Sequence, residues 1–159
     1  MVLASAPKKV TDKLQRVLNT AVRLITGTQK HECGLSWLLH DDLRRLAIPQ
    51  QVQYKLAVTV NRCLRYRAPK YLTDCCVPVF EVSGRQRLRS ASRRKLNISR
   101  FVCSTFGSRA FSVAGPTVWN LLPHLLCDPT VESETFLAGL ENTYLCPTLT
   151  HERIRGCFT

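Results

Sequence analysis

Arg85, Arg87 and Arg89 alternate along the chain, Arg93, Arg94 and Lys95 follow as a compact cluster, and Arg100 and Arg109 extend the run. These residue types suit phosphate. A planar guanidinium can donate two parallel hydrogen bonds to one anionic group, and an ammonium adds a point charge. In an extended chain residues two apart share a side, so Arg85, Arg87 and Arg89 would project together. Residues 82–127 hold eight basic and no acidic side chains. Cations without a local carboxylate are left open to an external polyanion. Phe101 and Phe106 lie in the same stretch, either as stacking surfaces for unpaired bases or as plugs for a core. The eight basic residues are therefore the candidate contacts to RNA or single-stranded DNA. A solvated loop, or a nuclear-import signal built on Arg93-Arg94-Lys95, is the plainer reading of the same residues.

Other chemistries find less to work with. Structural zinc sites pair ligands two to four residues apart, and no two of the eight cysteines have that spacing; Cys75 and Cys76 are adjacent. His31, His40, His124 and His151 are isolated from one another, and His31 and Cys33 would need distant co-ligands. There is no G-x-S-x-G elbow, and the seven glycines form neither G-x-G-x-x-G nor G-x-x-x-x-G-K, so the nucleophile and phosphate-loop signatures are missing. Asp41-Asp42 and Glu132-Ser133-Glu134 pair carboxylates, but on helix faces or starts where solvation or the helix dipole accounts for them. The expectation is a binding protein without catalysis, metal or cofactor.

The net charge of +12 agrees with a polyanionic partner, and it is uneven: residues 1–81 carry thirteen basic and six acidic side chains, and residues 128–159 carry two and five. An apolar fraction of 45% and a charged fraction of 21% are ordinary for a globular chain. The first residues lack an apolar stretch long enough for a secretion signal, and the cysteines are scattered among core-type positions. That favours reduced thiols and an intracellular site, nuclear or cytoplasmic, rather than secretion. The uncharged stretch from Ala110 to Cys127 is broken by Gly115, Pro116, Asn120, Pro123 and His124, so no membrane span is expected.

The positioning elements read as mainly α, a small helical bundle with a basic, irregular central loop and one short strand or hairpin at most. Val10, Leu14, Val17, Leu18, Ala21, Val22 and Ile25 recur at helical steps and predict an amphipathic helix over 8–25 with that face buried, stopped at Gly27. Leu35, Leu38, Leu39, Leu43 and Leu46 predict a second helix. Pro49 opens a third, to about Arg65, burying Val52, Leu56, Val60, Cys63 and Leu64. An antiparallel bundle of these three is the simple solution. A helical turn fits between Pro69 and Cys76, and Leu96, Ile98 and Phe101 suggest a short strand or extended loop. Pro116 is expected to open a helix through Trp119 and Leu122, and Ser133 to cap a last one through Tyr144. The divisions are a helical part over 1–78, a basic linker over 79–108, a helical part over 109–145 and a frayed tail over 146–159.

Several segments, read in order, carry a family signature: Lys13-Leu-Gln-Arg-Val-Leu-Asn19, Arg23-Leu-Ile-Thr-Gly-Thr28, Tyr54-Lys-Leu-Ala-Val-Thr-Val60, Ala68-Pro-Lys-Tyr-Leu72, Arg87-Leu-Arg-Ser-Ala91, Phe106-Gly-Ser-Arg-Ala-Phe-Ser-Val-Ala-Gly-Pro116 and Val118-Trp-Asn-Leu-Leu-Pro123. Over residues 13–145 the chain resembles the region C-terminal to the reverse transcriptase domain of LINE-type, non-LTR retrotransposon polyproteins. The resemblance implies an accessory element that grips template RNA or target DNA beside an upstream polymerase domain. It carries over no catalytic residue, because the palm aspartates and the endonuclease of that family lie upstream of this region. It assigns Gly115, Pro116 and Trp119 to turn and core. Leu46-Ala-Ile-Pro49 and Phe101-Val-Cys-Ser-Thr105 depart from the family pattern. Two other readings stay open. One is a host-adopted module presenting an exposed apolar patch near Trp119 and Leu122 to a protein partner; the other is a remnant open reading frame with no separate function.

Overall fold

The computed structural model describes residues 3–4, 6–32, 34–87, 93–99, 107–128 and 130–155, with side chains except at 36, 41, 42, 108 and 146–155. The chain is mainly helical, as its periodicity predicts. Helix α1 spans Lys8–Thr26, and a short α2, Leu35–Trp37, continues as a π turn over Leu38–Asp42. Then come α3, Ile48–Leu64, α4, Lys70–Thr73, α5, Phe111–Leu121, and α6, Ser133–Arg155. The strand suggested around Leu96 reduces to one antiparallel bridge between Leu96 and Pro78; Phe101 lies outside the described residues.

The bundle is organised around α3 rather than within the first three helices. Its Leu56, Ala57, Val60 and Cys63 are buried against Ala114, Val118 and Trp119 of α5 and Phe136 and Leu140 of α6. Trp119 and Phe136 stack with ring centroids 5.9 Å apart and 29° between planes, an offset arrangement that adds to plain area burial. Trp119 and Leu122 are themselves buried, whereas Leu121 and Leu125 beside them are 76% and 70% exposed. Trp119 and Phe136 are the large aromatic side chains of this core, and their burial draws α3 towards the far half of the chain.

The first turn of α3 has no Ser, Thr or Asp cap, and glutamines take that role. Gln50 Oε1 accepts the Ala47 N–H at 3.0 Å, Gln15 Oε1 of α1 accepts the Ile48 N–H at 2.9 Å, and Pro49 has no N–H to satisfy. Gln50 Nε2 also donates to the Tyr144 carbonyl of α6 at 3.1 Å. At the other end of α3, Arg65 donates to the carbonyl of Val131 ahead of α6.

Several boundaries differ from the sequence reading. The second helix was expected to reach Leu46, but it closes after Asp42, with Arg44 at φ 44° and Arg45 N–H returning to the Leu39 carbonyl at 2.8 Å. That left-handed residue is a helix-ending turn, and the π turn before it buries consecutive residues, Leu39 and His40. Pro116 lies inside α5 instead of opening it, and Gly115 beside it is helical rather than in a turn. An interior proline costs about 3 kcal/mol, offset here because Pro116 is fully buried and a Cβ on Gly115 would stand 3.1 Å from Val60 Cγ2 of α3. Ser133 is the first residue of α6 rather than its cap, since the Phe136 N–H bonds to the Glu132 carbonyl at 2.9 Å. The helix also runs beyond Tyr144 to Arg155, through the stretch expected to fray: backbone hydrogen bonds extend a helix past the point where its apolar pattern fades.

The largest correction concerns α1. Gly27, at φ 68° and ψ 11°, ends it as expected. Among its residues, however, only Val22 is buried; Val10, Leu14, Val17, Ala21 and Ile25 of the predicted inner face are exposed, and Leu18 is half-buried.

Packing on this plan separates two kinds of apolar position. Phe136→Ala should lower the stability to urea by about 3–5 kcal/mol, the usual cost of emptying an aromatic core site. Val17→Ala should stay within about 0.5 kcal/mol of wild type, despite the equally regular spacing of Val17.

Candidate nucleic-acid interface

Leu96 places the basic cluster. Its side chain is 2% exposed in the core, so its backbone polar groups are cut off from water and need partners. Asn120 of α5 supplies both. The Asn120 Oδ1 accepts the Leu96 N–H at 2.8 Å, and the Asn120 Nδ2 donates to the Leu96 carbonyl at 2.9 Å. On the opposite side, Val79 N–H donates to the Lys95 carbonyl at 2.9 Å and Asn97 N–H to the Val77 carbonyl at 2.8 Å. Trp119 Nε1 reaches the Arg94 carbonyl at 3.3 Å. A side-chain amide thus acts as a third strand for residues 94–97, and Arg93, Arg94 and Lys95 are carried on a pinned backbone.

These residues line a cavity of about 640 Å³ together with Trp119, Asn120, Leu122, His124, Cys127 and Asp128. Arg93 and Arg94 are exposed at its rim, Lys95 is half-buried and His124 is exposed. Arg94 sits at φ 53°, a left-handed conformation that turns the backbone sharply between the two arginines and the buried Leu96.

The cations are less free than an acid-free stretch implies. Arg94 Nη1 pairs with Asp128 Oδ1 at 2.7 Å, and Lys95 Nζ donates to the Asn120 carbonyl at 3.2 Å. Arg85 Nη1 donates to Asn97 Oδ1 at 2.9 Å. Counting carboxylates along the chain missed Asp128 because the fold brings it back from outside the stretch. Nor do Arg85 and Arg87 project from an extended strand. Residues 83–87 form turns with Gly84 at φ 79°, although both arginines are exposed. Among the described residues, Arg87 and Arg93 are the members of the set with no side-chain partner. Arg109 closes a 3-10 turn over Gly107–Arg109, half-buried and away from the cavity lining. Arg89 and Arg100 lie outside the described residues, as do Phe101 and Phe106.

Asn120, His124 and Asp128 were not singled out from the sequence as parts of the site. The one available signal was the Trp119-Asn120 step inside the family-like string, whose asparagine is placed to bridge two segments only once α5 is folded.

The electrostatics follow from the contacts. Asp128 Oδ1 accepts the Thr130 N–H at 3.0 Å and the Thr130 hydroxyl at 2.7 Å. These bonds, then the Arg94 guanidinium, hold its carboxyl down at about 2. Burial pushes the Cys127 thiol up, against the opposing pull of Lys95 and Arg94. Burial also raises the thiols of Cys63 and Cys76. Cys63, Cys75, Cys76 and Cys127 are free. Among the described residues no group of three His, Cys, Asp or Glu side chains could hold a metal, and no helix is long and apolar enough to cross a membrane.

Asn120→Ala removes both partners of Leu96 and should cost about 2–4 kcal/mol in urea unfolding, at unchanged m-value, since each orphaned buried group costs about 1–3 kcal/mol. For Asp128 the folded carboxyl is depressed relative to the ordinary value near 4. Its stabilising contribution is therefore complete above about pH 4 and lost as pH falls towards 2. A carboxyl-carbon NMR titration should place its midpoint at about 2, and Arg94→Ala should raise that midpoint only in part, because Thr130 contributes more. Comparison with protein-family models, with curated proteins and with solved structures finds no match to the chain.

Proposed function

We propose that this chain is a non-catalytic, accessory element for gripping RNA or single-stranded DNA, and that it corresponds to the C-terminal region of a LINE-type reverse transcriptase polyprotein. The observation that carries the binding reading is the basic cleft: Arg93, Arg94, Lys95 and His124 converge on one concavity in a chain of net charge +12. Arg87 and Arg93 are available to phosphate outright. Arg94 is available by exchange, because a phosphate oxygen can replace the Asp128 carboxylate on its guanidinium. Both partners of that pair are roughly half exposed, so the exchange is cheap in water. The family reading rests on the ordered segments from Lys13 to Pro123, and it makes an upstream polymerase domain the neighbour of this element. Free thiols at Cys63, Cys75, Cys76 and Cys127 suit an intracellular location, nuclear or cytoplasmic.

Binding through phosphate neutralisation releases counterions, so log affinity falls linearly with log salt, with a slope near −0.7 per phosphate contact on a single strand. Anisotropy of a labelled oligouridine should show this fall for the wild-type chain. Changing Arg93, Arg94 and Lys95 together to Ala should lower affinity and flatten the slope by about 2. Equal affinity for both proteins at low and high salt would remove the reading.

A further inference from the structure

The apolar stripe left uncovered on α1 has an order that solvent exposure alone does not require. Val10, Leu14, Val17, Ala21 and Leu24 follow one another at steps of four, three, four and three residues. That is the seam of a heptad repeat, in which each side chain is a knob for a facing helix. All five are exposed, with Val17 at 68%, Leu24 at 81% and the flanking Ile25 at 71%. The seam extends for roughly 20 Å at 1.5 Å per residue. The helix is held to the body by the adjoining edge, through buried Val22, half-buried Thr11, Leu18 and Thr26, and the bond from Ile48 N–H to Gln15. One border of the seam is thus occupied by the protein itself, and the other is open.

The open border selects the occupant. Lys13 borders the seam there, and Lys9 and Arg16 lie further round the same side, all exposed, while the helix's single carboxylate, Asp12, lies on the face opposite the seam. A facing helix meets these cations with the residues flanking its own seam, and acidic residues there are attracted while basic ones are repelled. A second copy of this chain is the wrong partner, because its α1 carries no carboxylate on the flanks of the seam to meet these cations. A lipid surface fits less well, because α1 has no aromatic residue to anchor it at the interface. We propose that α1 is a docking helix for an amphipathic helix of a partner protein, one with apolar residues at heptad spacing and Asp or Glu along its flanks. The seam shares no residue with the basic cleft, so this proposal does not rest on nucleic-acid binding.

The probe is a synthetic three-heptad peptide with Leu at the seam positions and Glu on both flanks, titrated against the full chain. Its counterpart carries Lys on the flanks. The acidic peptide should bind at least about tenfold more tightly than the basic one, as charge-matched helices do. Val17→Ser with Leu24→Ser should weaken it at least about tenfold, from the apolar area no longer covered, at unchanged circular dichroism. Lys13→Glu with Thr20→Glu should reverse the preference, and the Arg93, Arg94 and Lys95 to Ala variant should bind like wild type. No binding of the acidic peptide, equal binding of both peptides, or indifference to the seam substitutions would overturn the proposal. So would loss of binding in the cleft variant, which would mark the peptide as a reader of general basic charge. Sedimentation showing that the chain pairs with itself through Val17 and Leu24 would assign the seam to a second copy. Seam-dependent binding to vesicles containing phosphatidylserine, in place of peptide binding, would assign it to lipid.

Discussion

A backbone segment that buries a leucine side chain between helices must find partners for its own N–H and C=O, because water is no longer there to supply them. At Leu96 the partners are the two ends of one amide, Asn120 Oδ1 and Nδ2. The rest of the basic segment takes its place from this pair. With the bridge to Pro78 on one side and α5 on the other, residues 94–97 have little freedom to shift. Trp119, one residue before Asn120, stacks on Phe136 in the core while its indole N–H bonds to the Arg94 carbonyl. Core packing and the placement of the arginines are therefore the same contact viewed from two sides.

The electrostatic character of the cleft is set by what this arrangement brings near it. Arg94 meets Asp128, whose carboxylate is first stabilised by Thr130 and then by the guanidinium. Because the pair is partly solvated, its net worth to stability is small, and its main effect is to orient Arg94 across the cleft. Lys95 is held by the Asn120 carbonyl and adds positive potential deeper in the cavity. Arg93 stands at the rim with no such tether among the described residues. The cleft thus combines one loose, one paired and one fixed cation.

α1 shows what amphipathic pattern does and does not establish. The spacing of Val10, Leu14, Val17 and Ala21 correctly implies a helix, since those residues share a face only at a helical period. It does not say which neighbour that face meets. In this chain α3 spends its apolar surface on α5 and α6, whose Trp119, Phe136 and Leu140 bury more area than α1 can. α1 is left attached by its edge, through Gln15 and Val22.

The helical character of the chain, the stop at Gly27, the start of α3 near Pro49 and the buried residues Leu56, Val60 and Cys63 were legible from the sequence, because local propensity and period act on neighbouring residues. The concentration of cations between Arg85 and Arg109 was legible for the same reason: it is a property of composition along the chain. The sequence alone could not show that Pro116 is tolerated inside a helix, that the apolar face of α1 is left open, or that Arg94 has a carboxylate partner. Each depends on a contact between residues far apart in the chain: Gly115 against Val60, Trp119 on Phe136, and Arg94 with Asp128. Such contacts are chosen by competition among apolar surfaces for a single core, and that competition is decided only when all the helices are in place.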